Sequence, residues 1–152
     1  MKEIVLRHFF EGHATAAELD ADVVGTLICE GPERGPQIRR YNVLPMERKL
    51  ELRSDHLIRL VDASLSGDLR PEHLEVVASW LETAFERFPR DADTPDGERV
   101  VDALFWLGDP DINYPLSPRV LAKIRRYLAT GENTLSPADS KAVINVRPSN
   151  GR

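Results

Sequence analysis

The sequence predicts a mainly α-helical bundle in a single domain, residues 1–152, with a small β-hairpin or ribbon near residues 26–53. Between residues 54 and 131, apolar residues recur three or four positions apart, which is the period of a helix with one buried face. In "ERKLELRS" apolar and charged residues alternate instead, which is the period of a half-buried strand. A chain of 152 residues is long enough to bury a core as one domain.

Two short helices are predicted at the N-terminus. The first covers residues 1–10 and is closed by Gly12. The second begins at Thr15, which stands three residues before Glu18, and this is the spacing of a capping box. We expect the second helix to stop at Gly25.

The β element is predicted to follow these helices. "TLICE" is apolar and favours a strand, and "GPERGP" after it is typical of a turn. In "ERKLELRS", Leu50 and Leu52 fall on one face of a second strand. A two-stranded ribbon is marginally stable alone, so we expect it to pack on the helices.

Four helices are predicted in the core region, residues 54–131, and their limits follow from capping serines, first-turn prolines and glycine or proline stops. They are "SDHLIRLVDASLSG" with Ser54 as its cap, "RPEHLEVVASWLETAFERFP", "GERVVDALFWLGD" and "SPRVLAKIRRYLATG". Their apolar stripes are expected to include Leu65, Phe85 and Phe88. The tail, residues 132–152, is expected to be partly ordered, with a short strand in "KAVINV" and a disordered end.

Composition excludes several classes of protein. The single cysteine, Cys29, rules out an intrachain disulfide and fits a reducing compartment. The first residues lack the pattern of a signal peptide, and no apolar run approaches the ~18 residues of a membrane span. We therefore expect a cytoplasmic protein without a membrane segment. The net charge of -5 argues against general nucleic-acid binding and leaves basic partners open.

No motif for a metal or a cofactor is found. The histidines, His8, His13, His56 and His73, lack the convergent spacing of a zinc site, and we expect His56 and His73 to be solvated residues at helix starts. Cys29 lies in an apolar run and is expected to be a small buried residue rather than a nucleophile. No phosphate-binding glycine loop or catalytic triad is recognised. We predict no metal and no cofactor.

Charge is distributed unevenly along the second half of the chain. Residues 91–111 contain seven acidic residues and one arginine, whereas the helix 118–130 contains four basic residues and no acidic one. One interpretation is internal, with the acidic segment folded over the basic helix. The other is that the acidic segment binds a basic protein, because complementary charge accelerates association and an aromatic side chain can anchor it.

Three aspartates, Asp102, Asp109 and Asp111, allow a different function. Clustered carboxylates can bind a divalent metal or act as acid and base, so a small divalent-metal-dependent hydrolase or nuclease is the alternative. That alternative requires the three carboxylates to converge. "DPD" is also a common turn sequence, and the neighbouring prolines favour a rigid connector into the last helix.

The stretch "DINYPLSPRVLAKIRRYLATG" is similar in layout to the motif region of the colicin-type nuclease immunity proteins. Asp111, Tyr114 and Pro115 correspond approximately to that family's turn, in which an aspartate and tyrosines precede a proline and the last helix. Asn113 stands where the family has its first tyrosine. The resemblance covers only this part of the chain. It implies a small acidic inhibitor that grips a basic toxin through Tyr114, Asp111 and nearby acidic residues.

The function favoured by these patterns is a non-enzymatic protein–protein interaction module. Its most concrete form is an immunity or antitoxin-type inhibitor that binds a basic partner through the acidic segment. A structural adaptor subunit is a further alternative. The predicted partner-binding residues are Asp102, Trp106, Asp109, Asp111, Asn113 and Tyr114.

Overall fold

The computed structural model describes residues 1–30, 38–42, 47, 50–85 and 93–140, and these are mainly helical, as predicted. The elements in chain order are α1 (Glu3–Glu11), α2 (Ala16–Val24), β1 (Leu27–Glu30), β2 (Ile38–Tyr41), α3 (Ser54–Ser66), α4 (Pro71–Phe85), α5 (Pro95–Gly108), α6 (Pro118–Thr130) and a short 3-10 helix (Pro137–Asp139). None of the helices described is both long enough and apolar enough to cross a bilayer.

Several helix ends are those that the sequence predicts. α1 is closed by Gly12, whose φ of 82° lies in the left-handed region that favours glycine. α2 begins with the predicted capping box: the Glu18 amide donates to Thr15 Oγ1 at 3.2 Å, and the Thr15 amide donates to Glu18 Oε2 at 2.7 Å. Ser117 caps α6, and Gly131 ends it with a φ of 77°.

The start of α3 differs from the prediction. Ser54 is not the cap but the first helical residue, and Arg53 occupies the cap position. The Ser54 amide donates to Asp96 Oδ2 on α5 at 3.1 Å, so a carboxylate distant in sequence satisfies this helix-start N–H. Burial acts to raise the pKa of Asp96, but the hydrogen bonds from Ser54 and Arg99 outweigh it and leave that pKa below its usual value.

Residues 50–53, in the described part of the alternating segment, do not form a strand. β1 pairs antiparallel with β2, with Leu27 opposite Tyr41, whereas residues 50–53 take no part in a ladder. Leu52 is buried and Leu50 is partly buried against the helices. The alternation thus predicts one-sided burial correctly and strand pairing wrongly, because an extended segment that leads into α3 has the same two-residue period as a strand.

Two helix pairs contribute most of the core, with α4 packed on α5 and α3 packed on α6. Each helix buries one face, and the buried apolar residues include Leu57, Leu60, Val61, Leu74, Val77, Leu81, Val100, Leu104, Leu107, Val120, Leu121, Ile124 and Leu128. Leu65 is exposed, contrary to the prediction, because the buried face of α3 continues through Ser64. The predicted packing of Phe85 and Phe88 concerns side chains outside the described part of the chain.

A glycine brings the end of α5 close to α4. The Ser79 hydroxyl donates to the Gly108 carbonyl at 2.9 Å, and a Cβ at position 108 would lie 3.3 Å from the Ser79 backbone nitrogen. This contact fixes the last turn of α5 against α4, and it thereby fixes the start of the loop that follows Gly108.

The first part of the tail is attached to α6 through Asp139, whose carboxylate is buried. Lys123 Nζ donates to it at 2.6 Å, the Ser136 amide donates at 3.0 Å, and Arg119 forms an ion pair at 3.3 Å. The bond from Lys123, supported by Ser136, lowers the pKa of Asp139 to about 2. The predicted strand in "KAVINV" lies outside the described residues.

Candidate protein-interaction surface

α5 carries most of the residues predicted for the site. Thr94 caps its start, accepting the Gly97 amide at 3.0 Å, and Pro95 occupies the first turn. Leu104 and Leu107 are fully buried on the side of the helix that packs on α4. An amphipathic helix turns one face toward the core, so the α5 residues on the side opposite to Leu104 and Leu107 face solvent.

Asn113 holds the loop after α5 against the helix end. Its amide Nδ2 donates to the Phe105 carbonyl at 2.9 Å and to the Asp109 carbonyl at 3.1 Å. Both carbonyls also accept backbone amides, that of Phe105 from Asp109 at 3.4 Å and that of Asp109 from Asn113 at 3.1 Å, so the Asn113 side chain reinforces a turn that the backbone already closes. The two amide hydrogens of Asn113 are committed to positioning the loop, and this leaves the neighbouring Ile112 and Asp111 in fixed, exposed positions.

Large apolar side chains stand among carboxylates on the outer face of α5. Val101 and Phe105, one turn apart, are 39% and 43% exposed, and Ile112 in the loop is 73% exposed. The spacing of positions 98, 101, 102, 105 and 109 places them on one helix face. We call the following residues the acidic–apolar surface: Glu98, Val101, Asp102, Phe105, Asp109, Asp111 and Ile112. A group of exposed apolar side chains bordered by charge is typical of an interaction site.

Asp102, Asp109 and Asp111 are all exposed, as a partner-binding role requires. Asp102 also accepts a hydrogen bond of 2.6 Å from the Tyr127 hydroxyl on α6. Burial of Tyr127 and this bond to a carboxylate raise the pKa of Tyr127 to about 12. Tyr127 is therefore neutral at physiological pH and remains a donor to Asp102.

The two aromatic residues predicted for the site are not its most exposed apolar groups. Trp106 and Tyr114 are partly buried and pack against the core. The ring of Trp106 lies edge-on to that of Tyr114, with a centroid distance of 6.3 Å, and packs against that of Tyr127, with a centroid distance of 5.0 Å. Trp106 and Tyr114 therefore pack on the core side of the site, while Phe105 and Ile112 are the apolar side chains more exposed to solvent.

Val101, Phe105 and Ile112 were missed by reasoning from the sequence. A signal for the first two is present, because they are out of phase with the buried residues of α5 and fall between its acidic positions. No sequence pattern identifies Ile112, whose exposure depends on how Asn113 fastens the loop.

The basic helix α6 is neutralised by residues outside the acidic segment. Arg119 and Lys123 pair with Asp139. The remaining pairs are Arg125 with Asp62 on α3 and Arg126 with Glu132 after α6. The interpretation in which the acidic segment folds over these four cations is therefore wrong for the described residues, which exclude Asp91.

Two histidine predictions are also corrected. His73 is only 3% exposed, and its Nδ1 lies 2.6 Å from Asp20 Oδ1. His56 is half-buried and stacks on Phe10 with a centroid distance of 4.7 Å, and this burial lowers the pKa of His56. Both residues are helix-start positions as predicted, but tertiary packing on α1 and α2 removes them from solvent.

A metal centre is not formed in the part of the chain that the structure describes, where no three His, Cys, Asp or Glu side chains are placed to hold an ion. Asp102, Asp109 and Asp111 are all within that part, so they do not converge as the hydrolase or nuclease alternative requires. The side chain of Cys29 lies outside the described residues.

Comparison of the chain with protein-family models, curated proteins and solved structures found no match. Function is consequently inferred from the acidic–apolar surface itself, through the chemistry that its exposed residues offer.

Proposed function

We propose that this protein is a non-enzymatic interaction module that binds a basic protein through the acidic–apolar surface. The observation that supports this function most directly is the exposure of Val101, Phe105 and Ile112 among carboxylates. The four α6 cations pair with Asp139, Asp62 and Glu132 and not with the acids of this surface, so they do not neutralise its negative charge.

The two kinds of residue contribute differently to binding. Apolar area removed from water contributes about 25 cal/mol per Å², so Phe105 and Ile112 would supply much of the affinity. The carboxylates would accelerate encounter with a basic surface and disfavour acidic proteins and nucleic acids, which carry the same charge. This combination selects for a protein that presents apolar side chains surrounded by lysine or arginine.

The narrower proposal is an immunity or antitoxin-type inhibitor of a basic toxin. Its support is the similarity of the turn around Asp111, Tyr114 and Pro115 to that of the nuclease immunity proteins. A structural adaptor would use the same surface, and the identity of the partner separates the two. The single cysteine favours a reducing, cytoplasmic setting for the interaction.

The test is affinity capture from a lysate of the cells that make this protein, followed by titration of the purified captured partner. The variant Phe105→Ala/Asp109→Asn removes one apolar and one acidic group from the surface. The control, Leu65→Ala/Asp68→Asn, likewise removes one large apolar group and one acidic charge at exposed positions at the end of α3. We expect the surface variant to weaken the Kd for a basic partner about 10- to 100-fold, which is the range of interface hot spots.

The control variant should bind as the wild type does, and added salt should slow association. An acidic partner, or an equal loss in both variants, would overturn the proposal. Inhibition of a toxic activity of the partner would support the inhibitor form, and binding without any such effect would favour the adaptor.

A further inference from the structure

The last described residues lie at the end of α6 that adjoins the acidic–apolar surface. Asp139 accepts a bond from Lys123 at 2.6 Å and pairs with Arg119 at 3.3 Å, and both cations belong to the first two turns of α6. The loop after α5, in which Ile112 is exposed, leads into this same end of α6. The chain beyond Ser140 therefore leaves the described fold next to that loop.

The side of α6 that holds Asp139 also borders α5. Positions 119, 123 and 127 recur every four residues, so they lie along one side of the helix. Tyr127, at the last of these positions, donates to Asp102 on α5 at 2.6 Å. The chain beyond Ser140 therefore starts on the side of α6 that is nearest to the outer face of α5.

The sequence beyond Ser140 is complementary to the acidic–apolar surface. Residues 141–152, which we call the basic tail, are "KAVINVRPSNGR", with three basic residues and no acidic one. Four of the first six residues of the basic tail are apolar. The surface offers carboxylates at positions 98, 102 and 109 beside the exposed side chains of Val101, Phe105 and Ile112. Apolar contact and opposite charge thus favour the same pairing.

We propose that the basic tail binds the acidic–apolar surface of its own chain, as an internal ligand that a partner must displace. Ile144 and Val146 are two residues apart, so they share one side of an extended segment and would contact Phe105 and Ile112. The basic residues on either side of them would lie near the carboxylates. The inference requires this surface but no external partner, and it therefore goes beyond the proposed function.

The dimensions of the two features agree. Positions 98–109 of α5 span about 16 Å at ~1.5 Å per residue, and residues 141–146 span roughly 20 Å when extended. Attachment to the same chain also favours the basic tail over other occupants. A short tether gives an effective concentration on the order of millimolar, so contacts of modest strength suffice, whereas a second copy must bind from free solution.

The test measures paramagnetic broadening of amide signals in the isotope-labelled full chain. Cys29→Ser removes the single cysteine, and Ser149→Cys then carries a nitroxide label on the basic tail. We expect the signals of Phe105 and Ile112 to be broadened more than those of α1. In the same labelled chain, Ile144→Asp/Val146→Asp should remove most of that broadening.

The surface itself supplies a matched pair of variants. Phe105→Ala/Asp109→Asn should reduce the broadening at Ile112, whereas Leu65→Ala/Asp68→Asn at the end of α3 should leave it unchanged. A second measurement needs no label: the amide shifts of the otherwise unmodified chain should differ along residues 98–112 when Ile144→Asp/Val146→Asp is introduced.

Broadening at Ile112 that is no greater than in α1, or that persists in Ile144→Asp/Val146→Asp, would overturn the internal ligand. A mixture of nitroxide-labelled chains and isotope-labelled chains tests the second copy as the occupant. Broadening in that mixture would show that the basic tail binds another molecule, and it would also overturn the proposal.

The proposed function fails or stands separately. For a captured partner, Ile144→Asp/Val146→Asp should lower the apparent Kd about tenfold, which is the change expected if the basic tail covers the surface in ~90% of the molecules. An unchanged Kd would contradict competition by the basic tail. Capture that is insensitive to Phe105→Ala/Asp109→Asn would overturn the proposed function, and the broadening would still report whether the basic tail covers the surface.

Discussion

The outer faces of α5 and α6 are both rich in charge, but they differ in where those charges find partners. Arg119, Lys123, Arg125 and Arg126 on α6 are paired with Asp139, Asp62 and Glu132. The outer face of α5 instead combines exposed carboxylates with exposed apolar side chains. The cations of α6 therefore stabilise the fold through partners within the chain, whereas the proposed function assigns the outer face of α5 to binding.

The largest expected effect separates the two faces of α5. Leu104 is buried and Phe105 is 43% exposed. We expect Leu104→Ala to lower the free energy of unfolding by about 2–5 kcal/mol, because it leaves a cavity. Phe105→Ala should change it by only about 0.5 kcal/mol. Urea denaturation measures both, and similar losses for the two variants would contradict the exposure of Phe105.

The next effect concerns the pairing of α6. Asp139→Asn removes the carboxylate that Lys123 and Arg119 share and should lower the Tm by several degrees, whereas Asp109→Asn should leave it nearly unchanged. The pKa of Asp139 is about 2, below its ordinary value of 3.8. The stability it contributes is therefore complete above 3.8 and is lost as the pH falls through about 2.

Melting curves recorded down the acidic range test this pH dependence. The difference in Tm between the wild type and Asp139→Asn should be constant near neutral pH and should narrow as the carboxylate is protonated. A difference that persists at the lowest pH would show that Asp139 acts through packing rather than charge.

A smaller effect is expected at Tyr127, which links α6 to Asp102 on α5. The pKa of Tyr127 is raised from 10.0 to about 12, so its contribution to stability is complete below 10.0 and is lost as the pH rises through about 12. Alkaline titration of tyrosinate absorbance should show a late step near pH 12 in the wild type that is missing in Tyr127→Phe. Identical titration curves would contradict the bond to Asp102.

The smallest effect is expected for the exposed pair of Arg125 and Asp62, where both side chains are 45% exposed. Asp62→Asn should lower the Tm slightly at low salt, because exposed ion pairs contribute little. This difference should vanish at about 1 M salt, where the Debye length is only ~3 Å. Asp109→Asn at the C-terminal end of α5 should show no loss in either condition, because a carboxylate there gains nothing from the helix dipole, and a salt-dependent loss would weaken the comparison of the two faces.

Much of the helical framework follows from local chemistry. The capping box of Thr15 and Glu18, the closing glycines and the buried stripes of α4 and α6 are all predicted by spacing. These features depend on residues within one or two turns of each other. The alternation around Leu50 and Leu52 predicted less. It indicates that one side of an extended segment is buried, but it does not indicate whether that segment pairs with a strand.

The candidate site was only partly accessible from the sequence. Asp102, Asp109 and Asp111 are exposed, as the partner-binding prediction requires, and their role in binding stays a prediction. The roles of the aromatic residues did not follow, since Trp106 meets Tyr127 on another helix and Tyr114 packs on the core. Likewise, nothing local to His73 indicates that Asp20 on α2 will bind it.

Sequence by itself determined which segments are helices, where many of them begin and end, and which face of each turns inward, because these properties arise from backbone capping and a 3.6-residue apolar period. Tertiary structure decided which charges are used within the fold. An ion pair joins side chains that are distant along the chain, so the pairing of Arg125 with Asp62, and the bond from Tyr127 to Asp102 on α5, exist only once the helices have packed.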